Sequence, residues 1–546
     1  MRNPTIRRIL LALLSGALLA GAFAPWGLSP LVWIAFVPLL GAIEGCRTLK
    51  VLIIAWVQQL IFCMISGLWV FSTLHGYARL SFFRSLIEFE ILCLMLAGFG
   101  AVAFALATFA SRRLSLSLAL MLPITWTASE WTRAELPFSF PWNLLGYAIY
   151  RDVPLIQFAE FTGVYGVSAL IMFLNVSFYL FLFGTDPFAK RRRIALSVVA
   201  TLFVTLIFGF IRVAEVESAR SVGTLRVALI SGRAPTTMNF GLDSRKRALD
   251  RYRLNTNVAL NLHPSLIVWP ECAAMYIFQP DGRYSIVMAE DAQYHRSLVE
   301  LARQSATPIL FGALAFRQAE GTVSMLNRAY LLLPNGEVEG YYDKNKLVPF
   351  GEYVPMPWLL KNYVFPITTV RDLEAGDHDY LFDVDHARLG VKICYESIFP
   401  DLTRRMVKNG ADILVNLTND AWYGTGGAEQ ALAMATMRTV ETKRPLLRVA
   451  NQGLSAVISA SGRIQLADQF QAGAAVRDVG WVNFQTIYVR GGDMFAMSCV
   501  ALTVVGLASA FAAMRSHRGT EPFHAGSETC PLDPRGFVKF RKNNNR

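Results

Sequence analysis

The chain has 546 residues, of which 53% are hydrophobic and only 17% are charged, and its mean hydropathy is +0.37. This composition excludes an ordinary soluble protein and predicts membrane spans beside at least one folded domain. The formal net charge is +12, but most of the basic residues flank apolar runs. They therefore indicate membrane topology, and we expect no nucleic-acid partner. The cysteines show neither zinc-ligand spacing nor a disulfide framework, so we expect no metal and no organic cofactor.

Apolar runs fill the first part of the chain and recur once near its end. Each has roughly the length of a helix that crosses a hydrocarbon core, the second being short. The runs are 9–24, 30–44, 50–73, 87–110, 115–132, 163–184, 193–212 and 494–514. We therefore predict an N-terminal membrane domain over 1–215 with about seven transmembrane helices, and a final transmembrane helix at 494–514. The basic tail, 515–546, is expected to be disordered.

The basic residues between these runs predict the topology of the chain in the membrane. Arg47 and Lys50 follow the second run, Arg112 and Arg113 follow the fourth, and the string KRRR at 190–193 follows the sixth, whereas the alternate loops are poor in basic residues. Cytoplasmic loops carry an excess of lysine and arginine. Both termini are therefore predicted to lie in the cytoplasm, and seven crossings then place residues 224–490 on the outer side of the membrane.

Residues 224–490 have the sequence pattern of a folded α/β domain. Helical patterns at 242–260, 291–305, 398–409 and 427–443 alternate with short apolar strands, and PNGEV (334–338) is typical of a hairpin turn. This alternation predicts a layered α/β sandwich. The strands are predicted at 225–231, 265–271, 307–314, 328–334, 387–396, 411–420, 445–451 and 455–464.

Three strand ends in this domain carry groups that can do chemistry. Glu271 ends one strand, Lys344 and Lys346 follow another, and Cys394 ends a third. Catalytic groups in α/β folds commonly lie at strand ends. A glutamate can act as general base, a thiol as nucleophile, and a lysine can stabilise an oxyanion. Taken singly, each also has a structural interpretation: a solvated strand end, an exposed lysine or a core thiol.

The sequences around these residues resemble the nitrilase (carbon–nitrogen hydrolase) superfamily. More narrowly, VWPE (268–271), YDKNKLVPFGEYVP (342–355) and ICYESIFP (393–400) are similar to its apolipoprotein N-acyltransferase branch. The membrane part agrees, since EWTRAELPFSFPWNLLGY (130–147) and GVYGVS (163–168) resemble stretches of that family. The resemblance covers essentially residues 1–515. It implies a multi-span α-helical membrane domain plus a nitrilase-like α-β-β-α sandwich as the catalytic domain over 224–490.

The resemblance also implies roles for individual residues. Glu271 corresponds to the general base, Lys344 to the oxyanion-stabilising lysine and Cys394 to the nucleophile. Lys344 is preferred to Lys346 because it stands eight residues before the motif's second glutamate. The supporting positions are Glu352, Tyr395 and Glu396. The loop NLTNDAWYG (416–424) and the strand before the lysine supply the predicted substrate-pocket residues, which are Asn327, Asn419, Asp420 and Trp422.

The chain departs from the family pattern in two places. The opening QGNIPQ…KW stretch of the family reads SGRAPTTMNF (231–240) here, with Arg233 and Phe240 among the changed residues. The loop after NDAWYG lacks the usual proline and histidine. Cys272 follows the base glutamate, and we expect no Cys272–Cys394 disulfide, because neighbouring side chains on a strand point to opposite faces.

The activity implied by the resemblance is the last step of bacterial lipoprotein maturation. An acyl chain would pass from the sn-1 position of phosphatidylethanolamine, through a Cys394 thioester, to the α-amine of a diacylglyceryl-cysteine on an apolipoprotein. The protein would be a monomer of the bacterial inner membrane, with its catalytic domain in the periplasm and an apolar arm at 354–366 dipping into lipid. The alternatives are a membrane-tethered amidase acting on a small amide, and a transporter or scaffold that only binds ligand.

Overall fold

The computed structural model describes residues 3–136, 140–185, 187–232, 242–273, 276–280, 289–319, 322–360, 372–467 and 473–518. Three features singled out in the sequence lie wholly or partly outside these ranges. They are the divergent segment at 233–240, which includes Arg233 and Phe240, the second half of the apolar arm at 361–366, and the tail beyond 518.

Helices joined by short turns and loops make up the described residues of the N-terminal part of the chain, with no strand among them before Gly223. A 3₁₀ turn at Ser29–Trp33 precedes α2, a π-helical turn at Thr73–Tyr77 follows α4, and a second 3₁₀ turn spans Leu145–Ile149. The α-helices are α1 (Pro4–Ala22), α2 (Val37–Ile43), α3 (Thr48–Ser66), α4 (Leu68–Ser72), α5 (Phe82–Leu114), α6 (Leu118–Glu135), α7 (Val153–Ile156), α8 (Ala159–Thr162), α9 (Val164–Phe183) and α10 (Phe188–Ser218).

Within the described residues, six helices are long and apolar enough to cross a membrane, so the chain is a membrane protein. Five of them, α1, α3, α5, α9 and α10, precede the α/β region, and the sixth spans Met494–Arg515 near the end of the chain. The second apolar run forms a shorter apolar helical segment, Ser29–Ile43. The fifth run forms α6, which contains Pro123, Glu130 and Arg133 and packs against α5 and α9.

The α/β region contains twelve strands among its described residues, with helices between them. The helices are α11 (Leu242–Leu260), α12 (Ala289–Ser305), α13 (Pro357–Leu360), α14 (Pro400–Lys408), α15 (Gly424–Thr442) and α16 (Ile487–Gly491), and α17 (Met494–Arg518) follows. The strands are β1 (Gly223–Ile230), β2 (Leu266–Val268), β3 (Ile309–Ala319), β4 (Thr322–Leu332), β5 (Val338–Asp343), β6 (Leu381–Val384), β7 (Ala387–Ile393), β8 (Ile413–Thr418), β9 (Leu446–Ala450), β10 (Ala456–Ile458), β11 (Ile464–Ala467) and β12 (Ala474–Trp481).

The strands form two six-stranded sheets with closely similar topology. The first has the order β12-β1-β2-β3-β4-β5 and the second β11-β10-β9-β8-β7-β6. Each contains three neighbouring parallel strands, β1-β2-β3 and β7-β8-β9, flanked by antiparallel ones. Parallel strands need crossover connections, and helices α11 and α12 provide two of these in the first sheet while α14 and α15 provide them in the second.

The packing gives an α-β-β-α sandwich. Side chains of α11 and α12, such as Tyr252 and Leu298, share one apolar cluster with Ile267 of the first sheet. A second cluster joins the two sheets through residues such as Val227 and Val391 and continues into the spanning helices. This observed architecture, apolar helices followed by an α-β-β-α domain, confirms the predicted fold class.

Helix α15 lies between the second sheet and the membrane part. It contacts α4, α8 and the 3₁₀ turn at Leu145–Ile149. Polar residues of α15 as well as apolar ones are therefore buried, among them Gln430, Arg438 and Glu441. Because buried polar groups need partners, they bond across this junction: the backbone N–H of Val164 donates to Glu441 Oε1 over 2.9 Å.

The predicted strands were right in their main segments and wrong at several boundaries. The single strand predicted over 455–464 is two strands, β10 and β11, because a turn at Ser459–Gly462 reverses the chain. None of the predicted ranges covers the edge strands β5, β6 and β12, although β5 was implied by the hairpin turn at 334–338 and by the strand expected before Lys344. Strand β12 has no continuous apolar run and its exposed face is polar, so its sequence carries little strand signal.

Candidate active site

Glu271 lies in the loop that follows β2. Pro270 cannot donate a backbone hydrogen bond, so regular pairing ends there, and the indole N–H of Trp269 donates to Thr256 Oγ1 over 3.0 Å. The neighbouring strand must have a glycine here, since a Cβ at Gly312 would lie 2.8 Å from the Glu271 Cα. The loop thereby packs directly on β3, and Glu271 is 5% exposed.

Lys344 follows the last residue of β5. The buried carboxylate of Asp343 is held by Arg328 at 2.5 Å and by Arg317 at 2.9 Å. The backbone N–H of Lys344 then donates to the carbonyl oxygen of Asn327 on β4 over 2.9 Å. These contacts fix the end of β5, and the lysine side chain is only 1% exposed.

Cys394 comes directly after β7, at the start of a 3₁₀ turn that runs to Ile398. Its φ angle is +53°, a left-handed conformation that non-glycine residues seldom adopt and that is often found at functional sites. The Asn416 amide donates to the Cys394 carbonyl over 3.2 Å, and Arg448 holds the Asn416 carbonyl oxygen at 2.5 Å. The backbone that carries the thiol is therefore anchored to the second sheet.

Glu396 connects the lysine loop to the cysteine turn. Its Oε1 accepts from the backbone N–H groups of Asn345 (2.7 Å) and Lys346 (3.0 Å) and from the Tyr342 hydroxyl (2.8 Å). Its Oε2 accepts from the backbone N–H of Ile393 over 2.7 Å. Burial raises the pKa of Glu396 to about 6, even though these donors favour the charged form. These hydrogen bonds tie the loop that follows Lys344 to the turn that begins at Cys394.

The structure brings the three predicted catalytic residues into one buried cluster. Lys344 Nζ lies 2.7 Å from Glu352 Oε1 and 3.6 Å from Glu271 Oε1. The Asn327 amide donates to Glu271 Oε1 over 2.7 Å. The other oxygen of Glu271, Oε2, has no hydrogen-bond partner of ordinary geometry in the described part of the chain. It is thus available to accept a proton, and the Cys394 thiol is close enough to hydrogen-bond the carboxylate.

The electrostatics of this cluster hold the lysine charged. Burial by itself would lower the pKa of Lys344, but the carboxylates of Glu352 and Glu271 raise it above its usual range. Burial also raises the pKa of Glu271, an effect that the lysine charge opposes. Among the described residues, no group of three or more His, Cys, Asp or Glu side chains is placed to hold a metal ion.

The thiol, by contrast, is held neutral. Burial raises the pKa of Cys394 to about 12, the carboxylate of Glu271 acts in the same direction, and Lys344 opposes the rise. A thiolate is the reactive form of cysteine. A thiolate would form here only if a neighbouring group took the proton, and the Glu271 carboxylate lies beside the thiol.

The other predicted residues have more varied positions. Asp420 is buried in an ion pair with Arg448, 2.6 Å from its guanidinium. This ion pair holds the 416–424 loop against strand β9, which contains Arg448. Asn419 Oδ1 is buried and has no hydrogen-bond partner among the described residues. Trp422 packs on Tyr77, with ring centroids 3.9 Å apart, and Tyr395 packs edge-on against Phe399.

Tyr423 was not predicted as a site residue, yet its hydroxyl lies 3.8 Å from Cys394 Sγ. Its ring packs against Trp69 and Trp142 of the membrane part, at centroid distances of 5.1 and 5.4 Å. We call Trp69, Trp142 and Tyr423 the aromatic wall. The sequence signal that could have found it was its place in the loop NLTNDAWYG (416–424), three of whose residues were predicted to form the pocket.

The aromatic wall borders a cleft in the membrane part. The empty space of the cleft is about 380 Å³, a figure that includes the open solvent at its mouth. Its lining is mostly apolar and includes Phe62, Phe89, Trp69, Trp142 and Arg133. Arg133 donates to the Trp142 carbonyl over 3.1 Å, but its Nε has no partner in the described part of the chain.

Both parts of the chain resemble known proteins. Residues 249–481 match the family model for carbon–nitrogen hydrolases, and residues 15–177 match that for the apolipoprotein N-acyltransferase N-terminal domain. Among solved structures, an amidase from Nesterenkonia sp. covers 52% of this chain and 98% of its own, at 17% identity and a TM-score of 0.37. The fold and the family match define the α/β region as a carbon–nitrogen hydrolase domain joined to a membrane domain.

Relatives that match this chain over most of its length identify the particular family within the carbon–nitrogen hydrolases. The apolipoprotein N-acyltransferase of Geobacter metallireducens is 35% identical over 92% of this chain and 95% of its own length. Those of Thermotoga maritima and Chlorobaculum tepidum are each 29% identical, covering 91% and 92% of this chain and 93% and 96% of their own. The chain belongs to the apolipoprotein N-acyltransferase family, which confirms the resemblance seen in its motifs.

Proposed function

We propose that this protein moves an acyl chain from the sn-1 position of phosphatidylethanolamine, through a thioester on Cys394, to the N-terminal amine of a diacylglyceryl apolipoprotein. N-acyl transfer to apolipoproteins is the activity of the family to which the chain belongs. The observation that carries the proposal is the meeting of Glu271, Lys344 and Cys394 in one buried site, next to an apolar cleft between membrane helices.

In the first step Glu271 takes the proton of the Cys394 thiol while the sulfur attacks the ester carbonyl carbon. The carbonyl oxygen becomes an oxyanion, and the charged Lys344 stabilises it. When this intermediate collapses, the ester C–O bond breaks, the proton passes from Glu271 to the departing alkoxide, and lysophospholipid leaves. The acyl chain remains on Cys394 as a thioester.

In the second step the α-amine of the apolipoprotein cysteine attacks the thioester carbonyl. Glu271 removes a proton from the amine, and Lys344 again stabilises the oxyanion. Breaking the C–S bond releases the N-acylated lipoprotein, and the proton returns to the sulfur. Because the two substrates use the same covalent intermediate in turn, the kinetics are ping-pong.

The membrane part has a physical reason to adjoin this site. Exposing an acyl chain to water costs about 0.8 kcal/mol per CH₂, so both lipid substrates should enter from the bilayer. Trp358 of α13, in the apolar arm, is 80% exposed and would insert into lipid near the site. Excluding water would also protect the thioester from hydrolysis.

The predicted topology completes the proposal. The segment Ser29–Ile43 and α6, which packs against α5, α9 and α17, would join the five long helices to give seven crossings before the catalytic domain. The protein would then be a monomer of the bacterial inner membrane with both termini in the cytoplasm. Its catalytic domain, over 224–490, would face the periplasm, where apolipoproteins are met.

The direct test is intact-protein mass spectrometry of the purified enzyme after incubation with phosphatidylethanolamine. We expect an added acyl mass that hydroxylamine removes and that transfers to a synthetic diacylglyceryl-cysteine peptide. An enzyme that acylates the peptide from this lipid without ever acquiring the mass would contradict the thioester. A failure to transfer from any phospholipid would contradict the donor.

The acid limb of the pH–rate profile should follow the protonation of Glu271. Because burial raises its pKa above the usual range, the rate of acyl-enzyme formation should fall with decreasing pH well before an ordinary glutamate is protonated. The hydrogen bond from Asn327 lowers this pKa, so Asn327→Leu should move the acid limb to higher pH. Asn335→Leu, at an exposed turn, is the control, and an unmoved limb in Asn327→Leu would exclude Glu271 as the base.

The unpaired Nε of Arg133 suggests a contact with the donor phosphate, since guanidinium groups bind phosphate through charge-assisted hydrogen bonds. Arg133→Gln should raise KM for the phospholipid about tenfold or more and leave aminolysis of a preformed acyl-enzyme nearly unchanged. The control is Arg151→Gln, because Arg151 is exposed and pairs with the Tyr150 hydroxyl. A slower aminolysis step with unchanged KM would assign Arg133 to the acceptor instead.

A further inference from the structure

Two hydroxyl groups beside Cys394, those of Thr418 and Tyr423, have no role in the two-step reaction. The Thr418 hydroxyl also donates to Asp420 Oδ1, over 3.0 Å. The Tyr423 hydroxyl lies 3.8 Å from Cys394 Sγ, within hydrogen-bond distance for sulfur. Within the described residues, no other hydrogen-bond partner of this hydroxyl is found. The side chain is 8% exposed, so water has little access to take its place.

The protein holds this phenol in position through the membrane part. The indole N–H groups of Trp69 and Trp142 both donate to Gln430 Oε1, over 3.0 and 2.6 Å. The Gln430 amide in turn donates to the carbonyl oxygens of Ala24 (2.7 Å) and Ser66 (2.9 Å). Gln430 thus fixes two rings of the aromatic wall, and those rings confine the third, Tyr423.

Close approach of α15 to the wall depends on a missing side chain. A Cβ at Gly427 would lie 2.5 Å from Tyr423 Cβ and 3.0 Å from the ring of Trp69. Position 427 must therefore be glycine for the tyrosine and the tryptophan to pack as they do.

We propose that the Tyr423 hydroxyl is a further catalytic group that donates a hydrogen bond to the Cys394 sulfur whenever that sulfur carries negative charge. This inference rests on the proposed function of Cys394 as nucleophile. The neutral thiol can either donate to or accept from the phenol, but a thiolate only accepts, so the phenol must donate during attack and again when sulfur leaves the thioester. Burial raises the pKa of Tyr423 well above its usual range, so the phenol keeps the proton that it shares.

The test is Tyr423→Phe, which keeps the ring in the aromatic wall and removes only the hydroxyl. The first measurement is the rate at which iodoacetamide alkylates Cys394 in detergent without lipid, followed by intact mass across neutral and alkaline pH. Loss of a hydrogen bond to a charged sulfur should slow alkylation about tenfold at each pH. Acyl transfer should show a similar loss in kcat with little change in KM, while Tm stays at the wild-type value.

Tyr150→Phe is the matched control, since Tyr150 is also buried and its hydroxyl accepts from Arg151 over 2.8 Å, away from the cysteine. Alkylation of Tyr423→Phe at the wild-type rate, or faster, would overturn the inference and leave the ring as packing only. The alkylation measurement needs no lipid. It therefore still tests the hydrogen bond if phosphatidylethanolamine proves to be the wrong donor, and such a result would count against the proposed function alone.

Discussion

Cys394→Ala is expected to abolish acyl transfer. The sulfur is the only group that the proposed mechanism lets form a covalent bond with the acyl chain, and loss of a catalytic nucleophile in comparable enzymes costs up to about 10⁶-fold in kcat. The added acyl mass seen on the wild-type enzyme should be absent. Cys394→Ser should fail in the same way, because a hydroxyl is a much weaker nucleophile than a thiol at the same base.

The matched control for this experiment is the second thiol at the site. Cys272 follows the base glutamate, and its sulfur lies 3.9 Å from Asn327 Oδ1. Cys272→Ala should keep the acyl adduct, because the reacting geometry belongs to Cys394 alone. An adduct that survives in Cys394→Ala and disappears in Cys272→Ala would reassign the nucleophile. Transfer that persists in the Cys272→Ala/Cys394→Ala double variant would exclude a thioester on either residue.

Lys344→Met should be nearly as damaging, for two physical reasons. The oxyanion loses its stabilising charge, and removal of a single oxyanion donor typically costs about 10²–10³-fold in rate. The carboxylates of Glu271 and Glu352 also lose the cation between them. Without it, the pKa of Glu271 rises further, so less of the base is ionised at neutral pH. We expect the rate of acyl-enzyme formation to fall by about 10³-fold or more.

The same change should also destabilise the fold. Removing one partner of a buried ion pair typically costs about 3–5 kcal/mol, because it leaves an uncompensated buried charge. The measurement is the midpoint of thermal or denaturant unfolding in detergent, which should fall at neutral pH and recover partly as acid protonates the carboxylates.

Lys346→Met provides the control two residues away. The Lys346 side chain is exposed and lies over the Phe399 ring, so its loss should change neither the rate nor the unfolding midpoint appreciably. If Lys344→Met retained activity within about tenfold of the wild type, the lysine would be a structural counter-ion to Glu352 and would have no part in the chemistry.

The sequence alone was sufficient to locate the strand ends at which the three candidate catalytic residues lie. Glu271, Lys344 and Cys394 each end or follow a short β-branched or aromatic run, and the motifs around them resemble those of the apolipoprotein N-acyltransferase family. Strand positions were readable because apolar runs bounded by turn residues leave a local pattern. The edge strands β6 and β12 were missed because a half-exposed edge does not require a continuous apolar run.

The roles of the supporting residues needed the structure. Glu352 was predicted near the lysine, and the 2.7 Å contact with Lys344 Nζ supports that interpretation. Asp420 was predicted to shape the substrate pocket, and the structure adds that its carboxylate is buried in an ion pair with Arg448. An aspartate in a motif has the same one-letter code whether its carboxylate faces a substrate or an internal arginine. Sequence alone therefore does not distinguish a pocket residue from a structural one.

By itself, the sequence determined that this is a membrane protein with an α/β catalytic domain, and which glutamate, lysine and cysteine are the candidates for its chemistry. The length of an apolar run, the basic residues of a loop and the spacing within a motif are local properties. Each can be recognised within one continuous stretch of the chain. Only the tertiary structure decided that Trp69 and Trp142 meet Tyr423 beside the nucleophile. Trp69 and Gln430 are 361 residues apart, and a contact between such distant helices leaves no periodic mark in either of them.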